Sequence, residues 1–408
     1  MRTVTSPFHP AGAWPPRTEV GLEIAAKARH LVETHVLDIK RELPPGSESA
    51  NKELARDLAS LAIDGGLLII GVDEDKDYAL TPVPLEGLAE RVEQVAGSRI
   101  DEPLPLTFIE IESAAKAADG YLIVRVPASP RAPHMVENRY WGRGDKTKHM
   151  LSDGQVERLI ALRSRWAVNA EQALNEWIAG DPIAPDKRQR AHLFVVANPV
   201  PPRERLMLPV LGTGDYTRTF RDLVSATSHR GGEFSPDMPK SLSNFSPTAD
   251  GWAWKSYAVF GQRDEGEATT EREKGALIVE ICENGQVRLM CGRATEDWNG
   301  KRVIIDHLCL GLTARMVSLA AGVSHAAGFL GSWDFGVGVT MLRGAVSHLR
   351  SMDGFAGPPY TANNYTASTR AALAEIEAGS GPVVQRLLGR LFRAVEADQV
   401  AAVKKHFE

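Results

Sequence analysis

The chain has 408 residues, of which 43% are hydrophobic and 24% charged, and its formal net charge is −5. This globular composition favours two or three domains and excludes a global basic field, so nucleic-acid binding would need a local patch. The three cysteines, Cys282, Cys291 and Cys309, form no CxxC pair, which argues against a disulfide framework or a zinc site.

The first part of the chain alternates helices and strands. After a Pro-rich leader over residues 1–18, apolar spacing predicts a helix over 21–32, a strand over 35–43, a helix over 49–63 and a buried strand over 67–72. Pro44-Pro45-Gly46 ends the first strand, and Gly65-Gly66 ends the second helix. Further strands are predicted near 78–81, 106–111 and 120–126, with a helix over 85–96 between them.

A basic, aromatic, hairpin-like segment over 135–150 and a helix to residue 166 complete the first domain, 19–166. Residues 167–190 are interpreted as a helical connection, and 191–408 as a second domain of α+β type. The fold class is therefore α/β (α+β): the first domain is an α/β module, and the second domain is α+β. In the second domain we predict strands over 191–198, 252–261, 276–282, 287–291 and 335–342, a surface loop over 231–250, and helices near 206, 220, 371 and 383.

The pair Asn284-Gly285 predicts a tight hairpin, because both residues tolerate positive φ. The apolar helix from about residue 303 contains Asp306, His307 and Arg315, so a buried helix explains it better than a membrane span. The N-terminus lacks the basic-then-apolar layout of a signal peptide. We therefore expect a soluble, cytoplasmic protein without a membrane partner.

Four blocks occur in order in the first domain: ETHVLDIKREL, LASLAIDGGLLIIGVDED, GYLIVRVPASPRAPH and RYWGRGDKTKHM. Because of these four blocks, residues 31–163 resemble the Schlafen-type AlbA-like domain. The resemblance implies a mixed sheet with helices and a DNA- or RNA-binding module, of a kind common in bacterial proteins of transcriptional regulation or antiphage defence. The chain departs from the family pattern at Asp38-Ile39-Lys40, where the family has Glu-Phe-Lys, and at 61–64, where it has Phe-Ala-Asn-Thr. The second half shares no such resemblance.

Some Schlafen-type proteins are metal-dependent ribonucleases that use three carboxylates. By position, the resemblance carries this catalytic and metal-binding role to Glu33, Asp38 and either Asp73 or Asp75. Three converging carboxylates suit Mg²⁺ or Mn²⁺, which would activate water for phosphodiester cleavage. Lys40 shares a strand face with Asp38, where it would contact the phosphate or pair with Asp38. This nuclease is the alternative to binding without cleavage.

The strongest indication of a nucleic-acid partner is the basic segment. It contains, within eleven residues, Arg139, Tyr140, Trp141, Arg143, Lys146, Lys148 and His149. Such cations neutralise phosphates, and the aromatic rings stack on exposed bases. With Lys40 and Arg41 they form the predicted binding surface. The competing interpretation is a charged edge hairpin that prevents aggregation, in a protein that serves as an interaction scaffold. Homo-oligomerisation stays open.

The histidines of the second half carry no metal signal in the sequence. His307, His325 and His348 do not keep metal-ligand spacing with Cys309 and are interpreted as core or surface residues. The sequence therefore predicts the chemistry of the first domain, and of the second domain it predicts only the fold.

Overall fold

The computed structural model describes residues 14–165, 170–212, 215–227, 238–256, 269–352 and 357–408. The chain divides into two compact units. Unit 1 comprises Met1–Ala167 with Gly328–Ser332, and unit 2 comprises Val168–Ala327 with Trp333–Glu408. Helices and mixed sheets occur in both units, so the predicted α+β class is confirmed.

The helices of unit 1 are α1 (Glu19–Lys27), α2 (Glu48–Leu61), α3 (Leu88–Arg99) and α4 (Asp153–Arg165). Its strands are β1 (Leu37–Lys40), β2 (Gly66–Ile70), β3 (Val72–Asp73), β4 (Ala79–Leu80), β5 (Val83–Pro84), β6 (Thr107–Glu112), β7 (Asp119–Val126), β8 (Met135–Val136), β9 (Arg139–Arg143) and β10 (Lys148–Met150). A 3₁₀ turn spans Glu74–Lys76.

The main sheet of unit 1 has the order β1-β2-β7-β5, with β6 also paired to β7. Strands β1 and β2 are parallel and joined by α2, whose N-cap Ser47 accepts a hydrogen bond from the backbone N–H of Ala50. Gly66 begins β2 where a Cβ atom would lie 2.5 Å from the carbonyl oxygen of Val36. Only glycine fits there, so this residue permits the close approach of the chain to β1.

Apolar side chains cover both faces of this sheet. One core contains Leu58, Leu68 and Val124 together with α2 and α3, and the other contains Leu37, Ile69 and Tyr121 together with α1. Because β2 and β7 are buried on both faces, their sequences are continuous apolar runs without alternation.

A second sheet of unit 1 has three antiparallel strands in the order β10-β9-β8, and β9 packs against α2. In its register Arg143 pairs with Lys148, and Trp141 pairs with Met150. The segment predicted as a hairpin is thus a hairpin, and its side chains alternate between the α2 side and the opposite side.

The helices of unit 2 are α5 (Ala170–Ala179), α6 (Leu208–Leu211), α7 (Tyr216–Ser225), α8 (Met238–Ser241), α9 (Thr269–Gly275), α10 (Asp306–Ala327), α11 (His348–Met352), α12 (Leu373–Ala378), α13 (Gly381–Ala394) and α14 (Ala401–Lys404). Its strands are β11 (Leu193–Val200), β12 (Asn244–Pro247), β13 (Gly251–Lys255), β14 (Leu277–Cys282), β15 (Val287–Cys291), β16 (Thr295–Trp298), β17 (Lys301–Ile304), β18 (Ser332–Val339), β19 (Val346–Ser347) and β20 (Tyr365–Ala372). A 3₁₀ turn spans Pro185–Lys187.

A seven-stranded sheet of unit 2 has the order β12-β13-β14-β15-β11-β18-β20, and a smaller sheet has the order β16-β17-β19. Gly285 adopts φ +87° between β14 and β15, as expected for the predicted Asn-Gly hairpin. Helix α10 is long and apolar enough to cross a membrane, yet 78% of its most apolar stretch is buried inside the protein.

Unit 2 differs from the sequence interpretation in several elements. Strand β12 lies in the segment 231–250 predicted as loop, of which residues 231–237 are outside the described residues. The helix predicted near residue 371 is wrong there, because Ala371 belongs to strand β20 and the helix α12 begins at Leu373. Strands β16 and β17 were not predicted, because each is only four residues long. Helix α5 packs against β11 within unit 2, so residues 170–179 belong to that unit and do not form a separate connection.

Candidate nucleic-acid interface

A buried cluster of charged side chains lies where the hairpin covers β1 and α2. Its centre is Arg143, whose side chain is only 5% exposed. The guanidinium donates from Nη2 to Asp38 Oδ1 at 2.8 Å and from Nε to the carbonyl oxygen of Thr34 at 3.3 Å. Glu33 Oε1 is 3.8 Å from Nη2, and Asp57 Oδ1 is 3.9 Å from Nη1. Arg143 therefore joins the hairpin to three carboxylates of the main body.

Two lysines complete the cluster. Lys40 Nζ lies 3.3 Å from Asp38 Oδ2 and 3.0 Å from Asp57 Oδ2. Lys148 Nζ lies 2.5 Å from Asp57 Oδ1 and 2.5 Å from Glu53 Oε1. Among the described residues, neither Asp38 Oδ2 nor Asp57 Oδ2 has a well-aligned hydrogen bond, so Lys40 holds them by charge rather than by directed bonding.

The opposite charges decide the ionisation of the cluster. Burial alone would raise the pKa of Asp38, but the positive charges of Lys40 and Arg143 outweigh it and hold that pKa below its usual value. Burial would lower the pKa of Lys40, but Asp57 and Asp38 outweigh it and raise that pKa. Both groups are therefore charged at neutral pH, and the cations of this cluster are already neutralised by protein carboxylates.

Glu33 is the exception in this cluster. Burial, followed by its interaction with Asp38, raises the pKa of Glu33 to about 6, although the backbone N–H of Ile39 donates to its carboxylate at 3.4 Å. The nearest cation, Arg143, is 3.8 Å away and already bonded to Asp38. Glu33 is therefore the carboxylate of the cluster that titrates closest to neutral pH.

Burial and pairing divide the predicted binding residues of the hairpin into an inward set and an outward set. Trp141, Arg143 and Lys148 face α2, where the guanidinium of Arg56 lies 4.5 Å from the centre of the Trp141 ring. The outward set is accessible to solvent: Arg139, Lys146 and His149 are exposed, and Tyr140 is half-buried. By alternation Arg139 shares the strand face of Arg143, but it lies at the start of β9, where its guanidinium donates to Met150 Sδ at 2.8 Å. The inward set holds the hairpin in position, and only the outward set is available to a partner.

Arg41 is the other exposed cation of the predicted surface. Its side chain is 56% exposed and lies 3.9 Å from Asp73 Oδ2. Lys40, by contrast, is half-buried and paired within the cluster. Of the two adjacent basic residues at the end of β1, only Arg41 is therefore accessible.

The predicted metal site does not assemble as three converging carboxylates. Glu33 and Asp38 lie close together, but Arg143 lies against both. Asp73 is buried and faces Arg41 and Lys76, and Asp75 is exposed. In the described part of the chain, no group of three or more His, Cys, Asp or Glu side chains is arranged to hold a metal ion. These donors do not fit Mg²⁺ or Mn²⁺, because cationic side chains take the positions that the ion would need.

Sequence reasoning missed Asp57, the carboxylate that binds both lysines. It lies on α2 three residues after Leu54 and four before Leu61, and therefore on the buried stripe of the helix. A lone carboxylate on an apolar helix face requires a buried cation, because an unpaired buried charge is costly. That position was the available signal, although it could not identify Lys40 and Lys148 as the partners.

Comparisons with known proteins add little. No protein-family model and no curated protein matches the chain. Among solved structures, the chain is similar to the DIP2311 protein from Corynebacterium diphtheriae, at 12% sequence identity and a TM-score of 0.24. That match covers 63% of this chain and 75% of the other. A likeness this weak carries no argument about fold or function.

Proposed function

We propose that unit 1 binds nucleic acid through the outer side of the β9–β10 hairpin. The observation that carries the proposal is the two-sided hairpin: its inner cations are neutralised by carboxylates, whereas Arg139, Lys146 and His149 are exposed. Exposed cations on a rigid hairpin neutralise phosphates at low ordering cost. The resemblance of the blocks in residues 31–163 to Schlafen-type AlbA-like domains supports the same function.

In this proposal the residues of the predicted surface have different roles. Lys146 at the turn and Arg139 at the start of β9 are the direct phosphate contacts, and Tyr140 offers part of its ring for stacking on an unpaired base. Arg41 extends the cationic surface from β1. Arg143 acts indirectly. Its guanidinium holds the hairpin against Asp38, and its side chain is too deeply buried to contact a phosphate.

The proposal is tested by fluorescence anisotropy with labelled single-stranded DNA, double-stranded DNA and RNA over a series of salt concentrations. We expect binding at ~50 mM salt that weakens steeply as salt rises, because bound cations release counterions. Lys146→Ala should weaken binding to all sequences alike and reduce the slope of log affinity against log salt by about 1. Lys27→Ala is the matched control, since it removes the same charge from an exposed site on α1.

The same samples discriminate the competing functions. Incubation with Mn²⁺ or with EDTA tests the nuclease alternative: metal-dependent cleavage that Asp38→Asn abolishes would support Glu33, Asp38 and Asp73 as its carboxylates. Absence of binding to all three nucleic acids at ~50 mM salt would reject the proposal and leave the scaffold interpretation, because phosphate contacts are strongest at low salt. Equal binding by Lys146→Ala and wild type would reject the hairpin as the contact surface.

A further inference from the structure

Two histidine rings of unit 2 meet although 99 positions separate them in the chain. His307 is the second residue of α10, and His406 follows α14 near the end of the chain. Nδ1 of His307 lies 3.4 Å from Nε2 of His406, and the two ring planes are inclined by 58°. The fold thus brings one nitrogen of each imidazole into contact, and which of the two donates depends on the tautomers.

The separation of these nitrogens favours a shared metal ion over a direct bond. A hydrogen bond donated by a nitrogen is usually about 2.9–3.0 Å long, so 3.4 Å is a weak contact for two imidazoles. Two nitrogens bound to one tetrahedral ion at about 2.0–2.1 Å lie about 3.3–3.4 Å apart, by the tetrahedral angle. The observed distance therefore matches that of two ligands of one ion.

The charges near the pair do not themselves attract a cation. The N-terminus of α10 and the ammonium of Lys405 oppose a cation here, so coordination bonds must provide the binding energy.

We propose that His307 and His406 form a two-histidine site for a divalent transition-metal ion such as Zn²⁺ or Cu²⁺. Imidazole nitrogens suit this class of ion, whereas Mg²⁺ and Ca²⁺ prefer oxygen ligands. Among the described residues no group of three or more His, Cys, Asp or Glu side chains is arranged to hold a metal ion, so water or an external ligand would complete the coordination in this proposal. The bound ion would link the end of the chain to the start of α10.

The experiment uses the full chain without a histidine tag, titrated with ZnCl₂ in an isothermal calorimeter at pH 7.5 and at pH 5.5. We expect one ion per chain at pH 7.5 and weaker binding at pH 5.5, where protons compete for both nitrogens. His307→Ala and His406→Ala should each weaken Zn²⁺ binding by at least about tenfold. His325→Ala is the matched control, because this histidine lies on the same helix but pairs with Glu377.

A second readout uses Cu²⁺ as the probe. The electron paramagnetic resonance spectrum of the wild type should show coupling to two equivalent nitrogens, and each single variant should lose that pattern. Circular dichroism of the variants establishes that they are folded. Failure of the wild type to bind Zn²⁺, or equal binding by wild type and both single variants, would overturn the proposal and leave the pair as a direct imidazole contact. Neither result depends on whether unit 1 binds nucleic acid.

Discussion

Each unit contains a network of buried charges, and the two networks differ in their contact with solvent. In unit 2, His192 lies between Asp181, 2.7 Å from Nδ1, and Glu273, 3.0 Å from Nε2, and all three side chains are 0% exposed. In unit 1, the Asp38 and Arg143 side chains are each 5% exposed, whereas Lys40 and Lys148 are 26% and 18% exposed.

The solvent-excluded network of unit 2 joins segments of unit 2 that are distant in the sequence. The carboxylate of Glu273 also accepts hydrogen bonds from the backbone N–H groups of Gln189 and Arg190, and Asp181 pairs with Arg188. The network of unit 1 instead underlies a hairpin whose outer cations are exposed. The two networks therefore differ in what they support: the first joins segments within the core of unit 2, and the second holds a hairpin whose exposed cations carry the proposed function.

The largest effect is expected from His192→Ala. The change leaves Asp181 and Glu273 buried without the imidazole between them, and we expect a loss of about 3–5 kcal/mol from the unfolding free energy of unit 2. Hydrogen exchange measured by mass spectrometry reports each unit separately. Nucleic-acid binding should be unchanged. A loss below ~1 kcal/mol would mean that solvent reaches the two carboxylates after all.

Arg143→Ala should have a smaller effect on stability. Asp38 loses its closest cation but keeps Lys40, and the cluster opens to water, so we expect a loss of about 2–3 kcal/mol in unit 1. The hairpin should also exchange its amide hydrogens faster. Lys146→Ala is the control, because an exposed side chain should change stability by no more than about 0.5 kcal/mol. Equal stabilities of the two variants would contradict the inward role of Arg143.

Glu33→Gln should stabilise unit 1 slightly at neutral pH, with a gain that develops between pH 4.5 and 6. In the wild type the folded-state pKa of Glu33 is about 6, above the ordinary value of 4.5. The folded state therefore binds this proton more tightly than the unfolded state does. As a consequence, the unfolding free energy of the wild type falls as the pH rises from 4.5 to 6. Glutamine removes that penalty, worth about 1 kcal/mol after allowance for partial exposure. Urea denaturation at pH 4.5 and 7.5 measures the difference, and Glu90→Gln on α3 is the exposed control. A gain of the same size at both pH values would contradict this assignment of the pKa.

Much of the local structure followed from the sequence alone, because it depends on local patterns. Apolar periodicity predicted β1, α2 and β2, and Asn284-Gly285 predicted the β14–β15 hairpin, since positive φ is a local property. The sequence did not predict strands β12 and β20, because these strands are stabilised by pairing with neighbouring strands and not by a pattern in their own residues.

The tertiary structure decided what the charged residues do. The sequence presented Arg139, Arg143, Lys146 and Lys148 as equivalent cations, and only the packing of the hairpin on α2 turned two of them inward to Asp38 and Asp57. The same holds for His307 and His406, which share no local pattern. Local periodicity determines secondary structure, whereas the pairing of charges and ligands depends on which distant segments the fold brings together.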